Sequence, residues 1–330
     1  MLSLIKRKGV EMKLGVFTVL FQDKSFEEAL DIAAELGIEA VEVGTGGYPG
    51  DAHCKPSVLL EDKKAFEEFK NAVKKRNLII SGLSCHGNPL HPESRIADVH
   101  HEVFRKTVLL AEKLGVEKVI TFSGCPGGSD SDKTPNWITC PWPGFTEILK
   151  WQWEKRIIPY WSEEADFARE HGIKICLEMH PGFSVYNPES LLRLREAAGD
   201  NIGANFDPSH LFWQGIDPLA AVYKLKDAIY YVHIKDTRIN RLNSTINGVL
   251  DTKPFSEELK RSWLFRTVGY GHSYDFWKDF LSMLRLVGYD YVLSIEHEDS
   301  LMSSQEGLEK AVSFLKEVML REKPGGMWWA

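Results

Sequence analysis

Positive charge, cysteine pairs and long apolar runs are all in short supply in this chain, and each shortage closes off a class of protein. Lysine and arginine number 40 against 47 aspartates and glutamates, a net charge of −7. Such a balance repels phosphate backbones and argues against nucleic acid or an anionic membrane as the main partner. The five cysteines, Cys54, Cys85, Cys125, Cys140 and Cys176, are scattered and include no Cys-x-x-Cys pair. They read as reduced thiols of a cytoplasmic protein, not as a disulfide framework or a thiolate zinc site. No stretch approaches the roughly 18 uninterrupted apolar residues of a membrane span. Met1–Ile5 is too short for the apolar part of a secretory signal and is followed, not preceded, by Lys6, Arg7 and Lys8. Residues 1–12 read as a loose extension with Met12 an alternative start. Residues 321–330 read as a tail whose MWWA end is apolar enough to tuck onto the body or mark a contact surface.

What is present is globular: 43% hydrophobic and 26% charged residues. Short β-branched apolar runs alternate with longer stretches of helical period, the signature of parallel strand–helix–strand units. Strands are expected at 13–21, 38–44, 77–87, 117–124, 173–182, 201–210, 229–236 and 291–299. A helix follows the first strand, with Ser25 as N-cap and Gly37 as stop, and further helices are expected at 61–76, 97–115, 151–171, 188–199, 217–227, 274–288 and 303–319. The first strand leads into GVFTVLFQDKS, which lacks the glycine-rich phosphate loop of an open nucleotide-binding sheet. The expectation is therefore an α/β protein, a single (β/α)8 TIM barrel over residues 13–320, with extended loops after strand four (125–150) and strand seven (237–273).

Each of the last four strands ends in an ionisable residue: Glu178 in LEMHPG, Asp207 in NFDPSH, His233 in VHIKD and Glu296 in SIEHED. The C-terminal strand ends of a parallel barrel share one mouth, so the four converge there. Carboxylates with one imidazole suit an oxygen-preferring divalent ion, Mn²⁺ first, with Mg²⁺, Co²⁺ or Zn²⁺ as alternatives. Strand alternation sets His180 beside Glu178 and Lys235 beside His233. His86 or His91, in SCHGNPLHP, also reaches the mouth, and Trp213, soon after His210 in HLFWQG, is a candidate wall for a sugar ring. Trp151, Trp153 and Trp161 are expected to pack on the barrel or on another subunit, while Trp137 and Trp142 are left open as roof residues.

LEMHPG, NFDPSHLFW, VHIKD and SIEHED resemble the strand-end motifs of the xylose isomerase-like sugar phosphate isomerase/epimerase superfamily, which includes D-tagatose 3-epimerase-type ketose epimerases, inosose-processing enzymes and endonuclease IV. The resemblance implies that Glu178, Asp207, His233 and Glu296 bind the metal, that Glu178 and Glu296 are the paired catalytic carboxylates, and that His210 and Arg238 contact substrate hydroxyls. The activity implied is isomerisation or epimerisation of a keto-sugar by proton abstraction beside the carbonyl, through a metal-stabilised enediolate. An alternative keeps that abstraction and ends in elimination, as in a dehydratase or a lyase acting on a 3-keto-glycoside. A nuclease like endonuclease IV is a remote third, because residues 234–295 lack its Asp-x-His pair. The expected partner is a small carbohydrate, in a homo-oligomer or with a small β-rich subunit.

Overall fold

The computed structural model describes residues 12–322 together with Gly325, Met327 and Trp329. Residues 1–11 of the expected N-terminal extension and two of the four MWWA residues, Trp328 and Ala330, therefore lie outside the described residues. Among the described residues ten strands run in chain order: β1 Lys13–Phe17, β2 Ala40–Gly44, β3 Ile79–Ser84, β4 Lys118–Phe122, β5 Lys174–Glu178, β6 Ile202–Phe206, β7 Ile229–Ile234, β8 Asp236–Ile239, β9 Trp263–Arg266 and β10 Val292–Ile295. Eight of them pair in parallel and close into a barrel in the order β1-β10-β7-β6-β5-β4-β3-β2. Closure buries both faces, which is why β2 and β6 have no exposed residue and read in the sequence as apolar runs.

Helices form the outer ring. The helix Phe26–Glu35 begins with the expected Ser25 cap, closed into a reciprocal box by Glu28, whose carboxylate accepts the Ser25 N–H at 2.8 Å. The helix Ser94–Leu114 stops at Gly115, whose φ of 73° is left-handed and unstrained only for glycine. The helix expected at 151–171 starts earlier, at Phe145, passes through a wider π-helical stretch at Gln152–Ile157 and continues as Ile158–Glu170. Trp153 and Trp161 are buried against the barrel as expected, and the Trp161 indole N–H donates to Ser123 O at 2.9 Å. Trp151 is half-buried.

Within the lumen, Ala40, Ile120, Cys176, Tyr231 and Val292 form a small buried cluster of their own. Gly82 leaves room for it, since a Cβ there would meet Ile120 Cδ1 at 2.4 Å. One side-chain period nearer the C-terminal strand ends, the same strands present Glu42, Phe122, Glu178, His233 and Ser294. The lumen is thus apolar below and polar above.

The long segment after β7 is not an irregular loop. β8 and β9 pair antiparallel, Asp236 opposite Arg266 and Ile239 opposite Trp263, and the connection between them carries a short helix, Arg241–Asn247. Among the described residues no helix is long and apolar enough to cross a membrane.

Candidate metal centre

Glu178 ends β5, His233 lies near the end of β7, and Asp207 and Glu296 directly follow β6 and β10. One donor atom from each lies within 4.8 Å of the others. Glu178, Asp207 and His233 are buried, whereas Glu296 is partly open to the mouth.

The surrounding contacts fix the donors. The His233 Nε2 nitrogen faces both Glu42 carboxylate oxygens, at 2.9 and 3.0 Å, so Nε2–H donates there and Nδ1 is turned to the cluster. That Nδ1 lies 3.3 Å from Glu178 and 3.2 Å from Glu296. Glu42 is itself held by the hydroxyls of Ser84 and Ser294. On Glu178, Oε2 meets His86 Nε2 at 3.1 Å and accepts from Asn205 Nδ2 at 2.9 Å, while Oε1 meets His210 Nε2 at 3.0 Å. Lys235 Nζ reaches Glu296 at 2.7 Å, Glu298 at 2.9 Å and Asp207 at 3.2 Å.

Burial opposes ionisation of Glu178, but hydrogen bonds from His210, His233 and His86 overcome it and hold the carboxyl well below the usual carboxylate range. Burial likewise opposes Glu296, outweighed by Lys235 and His233, so its pKa is also lowered. His233 is raised well above an ordinary histidine: Glu42 and Glu296 prevail over burial. The His210 imidazole is raised to about 9, with Asp207 prevailing over burial. His180 is pushed down to about 3, chiefly by burial.

These donors fit a divalent cation. Asp207 Oδ2 is buried with no aligned hydrogen bond, although imidazole and ammonium nitrogens stand 3.2 Å away. A buried acceptor left in that state is expensive unless another group satisfies it.

The other residues singled out by sequence divide. His86, His210 and Lys235 contact the cluster directly, and the His180 ring lies tilted against His210, with ring centroids 4.0 Å apart. His91 does not join them; its Nδ1 accepts the nearby Glu93 N–H. Arg238 is not brought to the cluster either. Alternation along β8 turns Thr237 inward and Arg238 outward, where its guanidinium donates to Gly271 O at 3.1 Å. Trp213 lies flat on Trp263 at 4.6 Å and so ties the region after β6 to the hairpin. Trp142 is exposed, and Trp137 lines a separate cavity of about 190 Å³ with Trp153, Tyr186 and Arg193.

Sequence reasoning missed Glu42, Asn205 and Glu298. A signal existed for Glu42: an acid inside the fully buried strand AVEVG has no solvent face to occupy. Asn205 likewise interrupts a buried run, whereas nothing in SIEHED ranks Glu298 above its neighbours.

The profile of the xylose isomerase-like TIM barrel family matches residues 30–318. The chain belongs to that family. Within it, this barrel is 42% identical to the uncharacterized protein YfiH of Bacillus subtilis, over 93% of this chain and 99% of that protein. It is 22% identical to an inosose dehydratase of Mesomycoplasma hyopneumoniae, over 93% of this chain and 96% of the relative. Among solved structures, a D-tagatose 3-epimerase-like protein superposes with a TM-score of 0.61 at 23% identity, covering 93% of this chain and 98% of that one. That last likeness is one of fold.

Proposed function

We propose that this xylose isomerase-like barrel is a divalent-cation-dependent enzyme that abstracts and returns a proton beside the carbonyl of a keto-sugar, as an isomerase or epimerase. The observation that carries this reading is the convergence of Glu178, Asp207, His233 and Glu296 at one point of the barrel mouth. Glu178, Asp207, His233 and Glu296 would hold the ion, Mn²⁺ being the first choice, and it would supply positive charge to offset the negative charge that develops beside the carbonyl. Glu178 and Glu296 are both held ionised, the state a general base requires. Glu178 is locked on both oxygens by His86, Asn205 and His210, whereas the Glu296 carboxylate is anchored through Oε2 and partly open to the mouth. The pair thus offers one rigid and one accessible base. His86, His180, His210 and Lys235 supply polar contacts for substrate hydroxyls.

A second reading, elimination by a dehydratase or lyase, is favoured by one feature of the hairpin. Phe255, Leu264 and Phe265 border a cavity of about 220 Å³ with Glu298 and Ser300. Phe265 stands edge-on to His210 at 5.4 Å and under Lys235 Nζ at 4.7 Å. An apolar pocket this close to the cluster suits a leaving group larger than water.

Incubation of the metal-loaded protein in deuterated water with ketohexoses, and separately with 3-keto-glucosides, distinguishes the two. Deuterium in an intact sugar supports epimerisation and a released aglycone supports elimination. Glu178→Gln and Glu296→Gln should each abolish turnover, a fall of at least about 100-fold for loss of a positioned base. Full activity in either variant overturns the proposal.

A further inference from the structure

We infer that the cavity between the loops after β4 and β5 is a second small-molecule site, separate from the metal centre, and that it takes a neutral monosaccharide ring. None of the residues around it belongs to the metal centre, so the inference stands apart from the reading of that centre.

The cavity, about 190 Å³ in volume, lies where the long loop after β4 meets the start of the helix Pro188–Ala198. Trp137, Trp153 and Tyr186 form an apolar wall, with the Trp137 and Tyr186 rings edge-on at 5.4 Å. The polar groups around it are uncommitted. Gln152 is buried, and its amide nitrogen donates to Gly127 O at 2.9 Å and to Asn136 O at 2.7 Å. Both of its N–H groups are thereby used, and the Oε1 acceptor has no partner among the described residues. Glu189 and Arg193 are four residues apart on the helix, the spacing at which a glutamate and an arginine ordinarily pair. Here they do not. The Arg193 guanidinium lies over the Trp153 ring at 4.1 Å, and neither charged side chain has a hydrogen bond or ion pair among the described residues.

The charges decide the class of ligand. An anion drawn to Arg193 meets the Glu189 carboxylate, with Glu154 adding to the repulsion, and a cation drawn to Glu189 meets the guanidinium. A neutral polyol satisfies both, because each hydroxyl can donate to Glu189 or Gln152 Oε1 and accept from Arg193. Aromatic walls with a few convergent polar groups suit the C–H faces and hydroxyl edge of a pyranose. The volume falls below the roughly 300–1,000 Å³ of sites for larger organic ligands, so a single ring fits and an oligosaccharide does not.

The test is isothermal titration of metal-stripped protein, kept in chelator, with the methyl glycosides of glucose, galactose, mannose and xylose. These probes carry no carbonyl and are not substrates for the proposed proton abstraction. At least one should bind at millimolar concentration. Glu189→Gln and Arg193→Ala, both at exposed positions of the helix, should each weaken that binding by about tenfold, the loss of one hydrogen bond to a charged group. If no probe binds, the inference is overturned. Binding that both variants leave at wild-type strength places the sugar elsewhere and overturns it too. Gluconate binding where no methyl glycoside binds overturns the assignment to a neutral ring. With the metal removed throughout, each of these results leaves the reading of the metal centre untouched.

Discussion

Glu42 shows how much a single buried side chain can govern. It touches none of the donors' open faces, yet it fixes which His233 nitrogen carries a proton and which way the ring turns. Partners of this kind typically change metal affinity by about 10–100-fold when removed. Glu42→Gln should therefore weaken divalent-ion binding by roughly that factor while leaving the ion count unchanged, read by isothermal titration. Unaltered affinity would mean that the barrel alone orients His233. The residue also marks where reading a sequence stops short. Glu178, Asp207, His233 and Glu296 announce themselves because they end apolar runs. Glu42 and Asn205 sit inside such runs, where a charge or amide is easily taken for an ordinary alternation, and only knowledge that both faces are buried exposes them.

At the scale of elements, the β8–β9 hairpin is attached by two buried carboxylates. Asp236 accepts N–H bonds from Gly269, Gly271 and His272 and from the indole of Trp277, and a Cβ on Gly271 would strike its Oδ1 at 2.3 Å. Asp299, beyond β10, accepts from Thr267 N at 2.8 Å and from the Arg266 guanidinium at 3.0 Å. Burial opposes the Asp299 charge, but those N–H groups and that of Leu301 win, so its pKa is lowered. A depressed native pKa means that the contact is fully present above the unfolded value of about 4 and is lost only as pH falls toward the native one. Asp299→Asn should thus destabilise by about 1–3 kcal/mol, with the same loss at pH 5 as at pH 8. Faster proteolytic cutting within residues 240–262 would report it, and cutting at the wild-type rate would show the hairpin to be anchored elsewhere. None of this was legible in advance. The sequence shows an overlong segment after strand seven, but DTRI and WLFR are short, far apart in the chain and paired only across the intervening helix, so no local turn signal joins them.

For the whole molecule, the eight-strand ring and its helices were readable because closure imposes a simple rule: apolar strands, amphipathic helices, glycine stops. The register shifts between β2 and β3 and between β6 and β7 obey no such rule and emerge only from packing. The centre adds one global consequence. Glu178, Asp207 and His233 are buried and Glu296 is partly open, and an ion that needs all four held together would bind the folded chain alone. At about 100 times its dissociation constant, a cation should add about 2.7 kcal/mol of stability. Melting with saturating Mn²⁺ should then lie several degrees above melting in chelator, and coincident curves would argue that the cluster binds nothing.

The apolar plug of Ile120, Cys176, Tyr231 and Val292 beneath the polar tier makes the chamber a cul-de-sac. For the proposed enzyme, substrate and product would share the open end of the chamber, so neither could pass while the other occupies it. On the proposed reading, traffic at that threshold then joins the speed of proton transfer among the things that set the rate.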